Sequence, residues 1–236
     1  MNIYNSTYQD SNPSWHAEDA PWKANQILTV IKKNHITPSS VCEVGCGTGD
    51  IIVNLSKKLP LQTVFHGYDI SPLLIDKWKT RTQDNISFFN EDITQKTEPS
   101  YDLILCIDVV EHIEDYIGFL RQIKSRAPFF IFNFPLEIFA LQALFGKSYL
   151  YSRKKYGHLH YFNKDICLAV LKDLKYDIVD YFYAPMSIDL AGSSTSASFA
   201  TKALCIPRMV LSLLNVNLTA KLLGGYSLFV LARDVY

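Results

Sequence analysis

The sequence predicts an α/β protein built on a mostly parallel sheet of seven strands with helices on both faces. Short runs rich in β-branched and aromatic residues alternate with longer segments of helical period, which is the pattern of such a sheet. At 236 residues, with 48% hydrophobic and 19% charged residues, the chain can bury a full core. We therefore expect a single domain, 1–236.

The predicted elements alternate along the chain, with one long interruption before the last strand. Strands are predicted near residues 40–44, 63–69, 86–89, 102–107, 128–133, 176–184 and 226–233. Helices are predicted at about 19–35, 48–58, 71–82, 112–125, 137–146 and 163–174. The connection 186–225 is far longer than the roughly 2 to 6 residues of a usual loop. We therefore expect an N-terminal lid and helix (1–37), a binding core (38–185), a helical insertion (186–225) and a last strand (226–236).

Charge and cysteine content limit the partners and the compartment of the protein. Lys plus Arg and Asp plus Glu both total 23, so no overall field draws the chain to nucleic acid or to an anionic membrane, and only a local patch could do so. The five cysteines are odd in number and mostly fall in predicted strands, helices or the glycine turn. This favours reduced thiols and a cytoplasmic location over a disulfide framework. No signal peptide and no membrane span is predicted, because the start is polar and the apolar stretches are interrupted.

The stretch VCEVGCGTGDII, residues 41–52, combines a glycine turn with two acids. Gly45, Gly47 and Gly49 follow the first predicted strand, with Glu43 before them and Asp50 after them. A dinucleotide turn would have a small residue at position 50, and its pyrophosphate would rest on the helix N-terminus. Between two carboxylates a pyrophosphate would meet like charge at a cost of about a few kcal/mol. The turn therefore predicts a cationic ligand.

S-adenosylmethionine has this character, with a sulfonium, an ammonium, one carboxylate and no phosphate. Glycines let the backbone approach it closely, and Glu43 can attract its positive end. Asp69 ends the second predicted strand, where a carboxylate can accept both ribose hydroxyls. Asp92 follows the third strand and can accept the adenine amino group. In the alternative interpretation, Asp69 and Asp92 simply cap helices.

The motifs EVGCGTGD, GYDIS, NEDI, YDLILCIDVVEHIED and GHLHYFNKD together resemble those of class I S-adenosylmethionine-dependent methyltransferases. The similarity is to the broad methyltransferase type 11 and ubiquinone-biosynthesis-like group, and it covers about residues 38–185. It implies a Rossmann-like seven-stranded sheet whose last strand is antiparallel. The residues expected to bind the cofactor are Glu43, Gly45, Cys46, Gly47, Thr48, Gly49, Asp69, Ile70, Asp92, Ile93, Ile107 and Asp108.

Three histidines are candidates for the chemistry of the acceptor. Methyl transfer from a sulfonium is an in-line displacement with a neutral leaving group, so alignment and exclusion of water do most of the work. A hydroxyl acceptor must also lose a proton. His112, His158 and His160 are the candidate catalytic bases, because histidine titrates near neutral pH.

A divalent metal is a less favoured alternative at the same place. Asp108, Glu111 and His112, together with His158 or His160, form a carboxylate and imidazole set suited to such an ion. The set resembles the E-x-x-E-H motif and distant histidine of small-RNA 2′-O-methyltransferases, and the cluster of ubiquinone-pathway O-methyltransferases, but with Asp108 in place of Glu. Without metal, Glu111 and His112 would open the fourth helix and support the cofactor loop.

Two further segments are candidates for contact with the acceptor. Residues 147–162 mix cations with tyrosines, which suits an anionic acceptor or single-stranded RNA, or else a solvated loop. Trp15 and His16 are candidates for a lid, and burial of Trp15 and Trp22 against the first helix is the alternative. The sequence favours methylation of a small-molecule hydroxyl over methylation of RNA or a catalytically silent fold. It leaves open the oligomeric state and whether residues 186–225 cover the substrate, form a dimer contact or touch a membrane.

Overall fold

Seven strands form one sheet in the computed structural model, which describes residues 12–96, 100–145, 147–190 and 203–234. The strands are β1 Ser40–Val44, β2 Val64–Tyr68, β3 Ile86–Phe89, β4 Leu103–Ile107, β5 Phe129–Pro135, β6 Tyr176–Ala184 and β7 Ser227–Asp234. Their order across the sheet is β3-β2-β1-β4-β5-β7-β6. The first five strands pair in parallel, and β7 is antiparallel to both of its neighbours. The predicted fold class and the antiparallel last strand are confirmed.

Helices cover both faces of this sheet, since strand residues alternate between two hydrophobic clusters. The α-helices are α1 Ala20–Lys33, α2 Asp50–Ser56, α3 Ile75–Trp78, α4 Tyr116–Ile123, α5 Ala140–Phe145, α6 Lys147–Lys155, α7 Lys164–Asp173, α8 Met186–Asp189 and α9 Cys205–Leu223. Within the described part of the chain, every helix is too short or too polar to traverse a lipid bilayer.

Two predicted helices differ from the structure for local reasons. The segment predicted as 71–82 contains a 3-10 turn and only the four-residue helix α3, whose Trp78 indole donates to the Gly47 carbonyl at 2.8 Å. The segment predicted as 112–125 begins its α-helix at Tyr116, because Asp115 caps that helix by accepting from Gly118 N. His112 therefore lies in a separate 3-10 turn, Val110–His112, and does not open the helix.

The basic aromatic segment and the insertion both contain helices. Residues 147–155 of the segment 147–162 form the helix α6. The sequence analysis had considered a solvated loop for this segment. The insertion contains α8 and the longer α9, which is interrupted at Asn215 (φ −162°, ψ 103°) and packs against α5. Residues 191–202 of the insertion lie outside the described residues.

The parallel register brings the candidate site residues to one edge of the sheet. Val44 pairs with both Tyr68 and Cys106, and Ile107 pairs with Asn133. The residues that follow β1, β2 and β4 therefore emerge side by side, at the edge where open α/β sheets bind ligands.

We predict that the second and third turn glycines differ in their tolerance of a side chain. Both have positive φ, +51° at Gly47 and +82° at Gly49, so alanine at either position costs about 1 kcal/mol of backbone strain. A Cβ at Gly47 would meet nothing within 4 Å, whereas one at Gly49 would overlap the Phe88 ring. Gly49→Ala should therefore lower the free energy of unfolding by about 2 to 4 kcal/mol and Gly47→Ala by about 1 kcal/mol, measured by urea denaturation. Equal losses would contradict this packing.

Candidate active site

A cavity of about 1110 Å³ lies along the carboxyl edge of the central strands. It joins the glycine turn at one end to a cluster of imidazoles and carboxylates at the other. Two of the predicted site residues, Gly49 and His160, do not line it. The predicted residues that do line it are Glu43, Gly45, Cys46, Gly47, Thr48, Asp69, Ile70, Asp92, Ile93, Ile107, Asp108, His112 and His158.

The glycine turn is fixed by close packing around its backbone. Gly45 has φ +65°, and a Cβ there would approach Cγ2 of Val109 to 2.6 Å. Cys46 N donates to the Tyr68 carbonyl at 3.0 Å, which ties the turn to the end of β2. Burial raises the pKa of the Cys46 thiol well above its usual range. Cys46 is therefore a small lining residue with an unreactive thiol.

Glu43 is a buried carboxyl that the protein leaves partly without partners. It is 1% exposed, and no described residue donates to its Oε2. Burial raises its pKa well above the usual range, an effect that Lys23 opposes and that Asp69 and Asp50 strengthen. A buried, unpaired carboxylate is costly unless a donor or a cation satisfies it. This orphaned oxygen fits the cationic cofactor that the sequence predicts.

The second acid of the turn is already paired. Arg81 holds Asp50 through contacts to both carboxylate oxygens at 3.1 Å, and Thr48 Oγ1 donates to Asp50 at 2.5 Å. The expectation that two free carboxylates face the ligand is therefore wrong for Asp50. The negative charge available at the turn comes from Glu43.

Asp69 and Asp92 both line the cavity and also make local hydrogen bonds. Asp69 accepts from Gly47 N at 3.0 Å and from Ser71 N at 2.9 Å. Asp92 Oδ1 accepts from Thr94 N and Oγ1, so Asp92 does cap the short turn that follows β3. Each carboxylate can accept further hydrogen bonds, so capping and ligand binding are compatible here.

Asp108 is held from two sides at the centre of the cavity. It has φ +53°; its Oδ2 lies 2.7 Å from Lys23 Nζ, and Asn133 Nδ2 donates to Oδ1 at 2.5 Å. Burial lowers the pKa of Lys23, but the charge and hydrogen bond of Asp108, together with the charges of Asp19 and Glu111, raise it above its usual value. Lys23 was missed by the sequence analysis. The available signal was a lysine on the buried stripe of α1, between Ala20 and Ile27.

The acceptor end of the cavity holds an imidazole and carboxylate cluster. Glu111 is fully buried, none of the described residues forms a hydrogen bond with its carboxyl oxygens, and its Oε1 lies 4.0 Å from His112 Nε2. The His112 and His158 rings pack edge to face with centroids 4.9 Å apart. His158 Nδ1 lies 2.6 Å from Glu137 Oε2, and Ser152 Oγ donates to Glu137 Oε1 at 2.5 Å. Sequence reasoning missed Glu137, which follows β5 and meets His158 only through the fold.

The members of this cluster have different proton affinities. Burial and the neighbouring His158 lower the pKa of His112 to about 3, so its imidazole is neutral near pH 7. Burial opposes protonation of His158, but its hydrogen bond to Glu137 and the charge of Glu111 raise its pKa. Burial and Asp108 raise the pKa of Glu111 to about 8. Glu111 and His158 therefore bind a proton more strongly than their ordinary pKa values indicate, and His112 more weakly.

The same cluster contains the atoms that a metal ion would need. Glu111, His112 and His158 each offer one ligand atom, all within 4.8 Å of one another. Within the part of the chain that the structure describes, Asp108 and His160 do not belong to this group, so the four-residue set expected from the sequence is corrected. Asp108 is instead bound by Lys23 and Asn133.

His160 lies away from the cavity. Its Nε2 is 3.0 Å from the Ile113 carbonyl and 3.2 Å from that of Glu114, and its ring packs against Tyr116. These contacts fix the chain between β4 and α4. The structure thus places His160 in contacts with backbone carbonyls and not among the residues that line the cavity.

The N-terminal segment and α6 together form one wall of the cavity. Asn12 Nδ2 donates to the Lys155 carbonyl at 2.7 Å, and His16 packs on Tyr156. Lys155 lies over the Tyr156 ring at 5.0 Å. Trp15 and His16 line the cavity as the lid hypothesis requires, whereas Trp22 packs on the core residue Phe229 and donates to Asp189.

Comparison with known proteins identifies relatives of one chemical type. Among curated proteins, ubiquinone biosynthesis O-methyltransferase of Rickettsia bellii is 25% identical over 109 residues, which are 45% of each chain. Pavine N-methyltransferase of Thalictrum flavum subsp. glaucum is 24% identical over 90 residues, which are 36% of this chain and 25% of that protein. The chain therefore spans less than half the length of these curated relatives.

Solved structures with the same fold include two methyltransferases with bound product. Magnesium protoporphyrin IX methyltransferase from Synechocystis PCC 6803, with bound S-adenosylhomocysteine, matches with a TM-score of 0.60 and 16% identity, over 100% of this chain and 89% of that one. N-methyltransferase NodS from Bradyrhizobium japonicum WM9 matches with a TM-score of 0.60 and 16% identity, over 98% of this chain and 100% of that one. At this identity the similarity concerns the fold.

A family model described as a methyltransferase domain matches residues 16–179, which is more than half of the chain. The match includes the glycine turn, the acids that follow β2 and β3, and His112 and His158. It agrees with the resemblance seen in the sequence motifs and with the strand order of the sheet. The chain belongs to the methyltransferase-domain family and has the class I methyltransferase fold.

Proposed function

We propose that this protein is an S-adenosylmethionine-dependent methyltransferase that methylates a hydroxyl group of a small molecule. The observation that carries the proposal is that one cavity is lined both by the glycine turn and the strand-end acids and by His112, His158 and Glu137. The curated relatives include an O-methyltransferase and an N-methyltransferase, which supports a small acceptor without choosing its atom. We assign the lid to the N-terminal segment that contains Trp15 and His16.

The cofactor end of the cavity fits S-adenosylmethionine through its charge. When bound, this cofactor supplies a methyl group activated by a sulfonium. Glu43 would neutralise positive charge, and the unpaired state of its Oε2 supports this role. Asp69 would accept ribose hydroxyls, and Asp92 would accept from the adenine amino group. The open space at Gly47 allows the ligand to approach the backbone of the turn.

The acceptor end supplies a base for the hydroxyl proton. Glu137 accepts a hydrogen bond from Nδ1 of His158, so in the neutral imidazole the proton is on Nδ1 and Nε2 is the basic nitrogen. His158, in its neutral form at a pH above its raised pKa, would take the proton as the oxygen attacks the methyl group. His112 is neutral and packs on His158, so it would hold the ring in place.

A divalent cation held by Glu111, His112 and His158 is the second candidate for this step, because their ligand atoms lie within 4.8 Å of one another. Such an ion would promote loss of the hydroxyl proton as a Lewis acid. RNA is a less suitable acceptor, since the chain has no net charge and Lys155 is engaged with Tyr156.

We predict that Glu43→Gln distinguishes the cofactor from its product. The change keeps the size of the side chain and removes its charge. The affinity for S-adenosylmethionine should fall about tenfold more than that for S-adenosylhomocysteine, because only the former carries a sulfonium. Calorimetric titration of both ligands measures the difference. An equal loss would mean that Glu43 does not interact with the sulfonium.

The same carboxyl should give this preference a pH dependence. The pKa of Glu43 is raised well above its usual range by burial, and a cation favours the ionised form. The preference for S-adenosylmethionine over S-adenosylhomocysteine should therefore weaken as pH falls through this pKa and strengthen as pH rises. In Glu43→Gln the ratio of the two affinities should lose this dependence.

We predict that Asp69→Asn weakens both ligands equally, because both contain the ribose. Loss of the charged acceptor should cost about 1 to 3 kcal/mol of binding free energy, measured by the same titrations. Asp84→Asn, at an exposed acid outside the cavity, is the control. Since Asp69 also accepts from Gly47 N, the thermal unfolding of both variants should be compared with that of the parent. Unchanged affinity in Asp69→Asn would remove the ribose assignment.

We predict that His158→Asn and His160→Asn differ in turnover. Transfer of label from methyl-labelled S-adenosylmethionine into a metabolite extract should slow by about a hundredfold to ten-thousandfold in His158→Asn, with unchanged cofactor affinity. His160→Asn should keep the parent rate, because His160 bonds to backbone carbonyls and does not itself line the cavity. Failure of the parent to label any compound in the extract would count against small-molecule methylation.

A chelator added to the same assay separates the base from the metal. If His158 acts directly as the base, the labelling rate is unchanged by the chelator. Loss of labelling that added divalent cation restores would transfer the role to a metal held by Glu111, His112 and His158.

A further inference from the structure

The helix α9 exposes an apolar face to solvent. In its first half Leu211 is exposed on another side of the helix, and five exposed apolar side chains recur with spacings of three and four residues, so they lie on one side. They are Ile206, Met209, Val210, Leu213 and Leu214. Leu213 is 87% exposed and Leu214 is 81% exposed. Arg208, on the opposite side, is buried and donates to the Leu223 carbonyl at the end of the same helix, so this bond joins the two halves of α9.

Exposed apolar side chains also occur on α5 and α6. Leu144 of α5 is 78% exposed and Leu150 of α6 is 71% exposed, and α5 packs against α9. We refer to the exposed apolar side chains of α5, α6 and α9 as the apolar face. A surface with so many exposed large apolar residues on adjacent helices is typical of an interaction site.

The exposed charge of α6, one of the three helices of the apolar face, is positive, whereas in α9 Arg208 is buried and Lys221 is bound to Asp165. Residues 138–164, which include α5 and α6, contain five Lys and Arg and no Asp or Glu. In a chain with 23 residues of each sign, this is a strong local asymmetry. Arg153 and Lys154, near the end of α6, are exposed.

We propose that the apolar face attaches the protein to a membrane surface that carries anionic lipid headgroups. Apolar side chains would enter the boundary between headgroups and acyl chains, and the surrounding cations would contact the headgroups. A second copy of the chain is a poorer occupant, because two such faces would bring like charges together. Attachment would be peripheral, since no described helix can traverse the bilayer.

The apolar face is also close to the cavity. Tyr151, Lys155 and Tyr156, from the end of α6 and just beyond it, line the cavity, and so does Gly225, which follows α9. The same elements thus present leucines to solvent and side chains to the cavity. Membrane binding through this face requires neither cofactor nor methyl transfer, so it can be tested separately from the proposed reaction.

Co-sedimentation of the full chain with vesicles tests this surface. We expect binding to vesicles of phosphatidylcholine mixed with phosphatidylglycerol and much weaker binding to vesicles of phosphatidylcholine alone. Binding to the mixed vesicles should fall as salt rises, because the headgroup contacts are screened. Equal binding to both vesicle types would overturn the role of anionic headgroups, and no binding to either would overturn the proposal.

Two pairs of substitutions separate the apolar and charged contributions. Leu213→Ser with Leu214→Ser should abolish most of the bound fraction, whereas Leu61→Ser, at a residue 89% exposed elsewhere, should not. Arg153→Glu with Lys154→Glu should weaken binding by roughly fivefold or more for each residue. The matched control for charge is Lys32→Glu with Lys57→Glu, at two exposed lysines outside the apolar face.

Thermal unfolding and gel filtration of each variant complete the test. The substituted side chains are exposed, so the variants should unfold at the temperature of the parent. Parent-like vesicle binding by the leucine pair would overturn the proposal. A parent that elutes as a dimer, does not bind vesicles and becomes monomeric in the leucine pair would instead assign the apolar face to self-association.

Discussion

The buried ion pair between Lys23 and Asp108 is the interaction on which the geometry of the cavity depends. Lys23 is 7% exposed, and its Nζ lies 2.7 Å from Asp108 Oδ2. With Asn133 as a further donor, the pair joins α1 to the ends of β4 and β5. A buried charge is stable only when its partners satisfy it, and removing one member leaves the other uncompensated. The pair therefore fixes the N-terminal wall of the cavity between the glycine turn and the imidazole cluster.

The other acids of the cavity differ in how their charge is compensated, and this difference divides the cavity into two ends. Arg81 neutralises Asp50, and His158 is paired with Glu137. Glu43 and Glu111 remain without a full set of donors. Burial without hydrogen-bond donors raises the pKa of a carboxyl, so such a group tends to bind either a cation or a proton. Glu43 creates this demand beside the glycine turn, and Glu111 creates it beside the histidines.

The fold was predictable because its signals are local. Buried strands are recognised in the sequence as short apolar runs, and the turn that connects β1 to α2 needs glycines with positive φ. Helix limits were less predictable, since they depend on single caps such as Asp115 and on contacts such as Trp78 with the Gly47 carbonyl. The helix α6 was not anticipated, because its mixture of cations and tyrosines has no apolar stripe.

The sequence by itself determined the seven-stranded α/β architecture, the family resemblance and the acids that follow the central strands. Only the tertiary structure decided which charges remain available to a ligand. The pairing of Asp50 with Arg81, of Asp108 with Lys23 and of His158 with Glu137 joins residues far apart in the chain. The tertiary structure also distinguishes His158, which lines the cavity, from His160, which bonds to backbone carbonyls. Compensation of charge acts through space, so the spacing of residues along a chain does not reveal it.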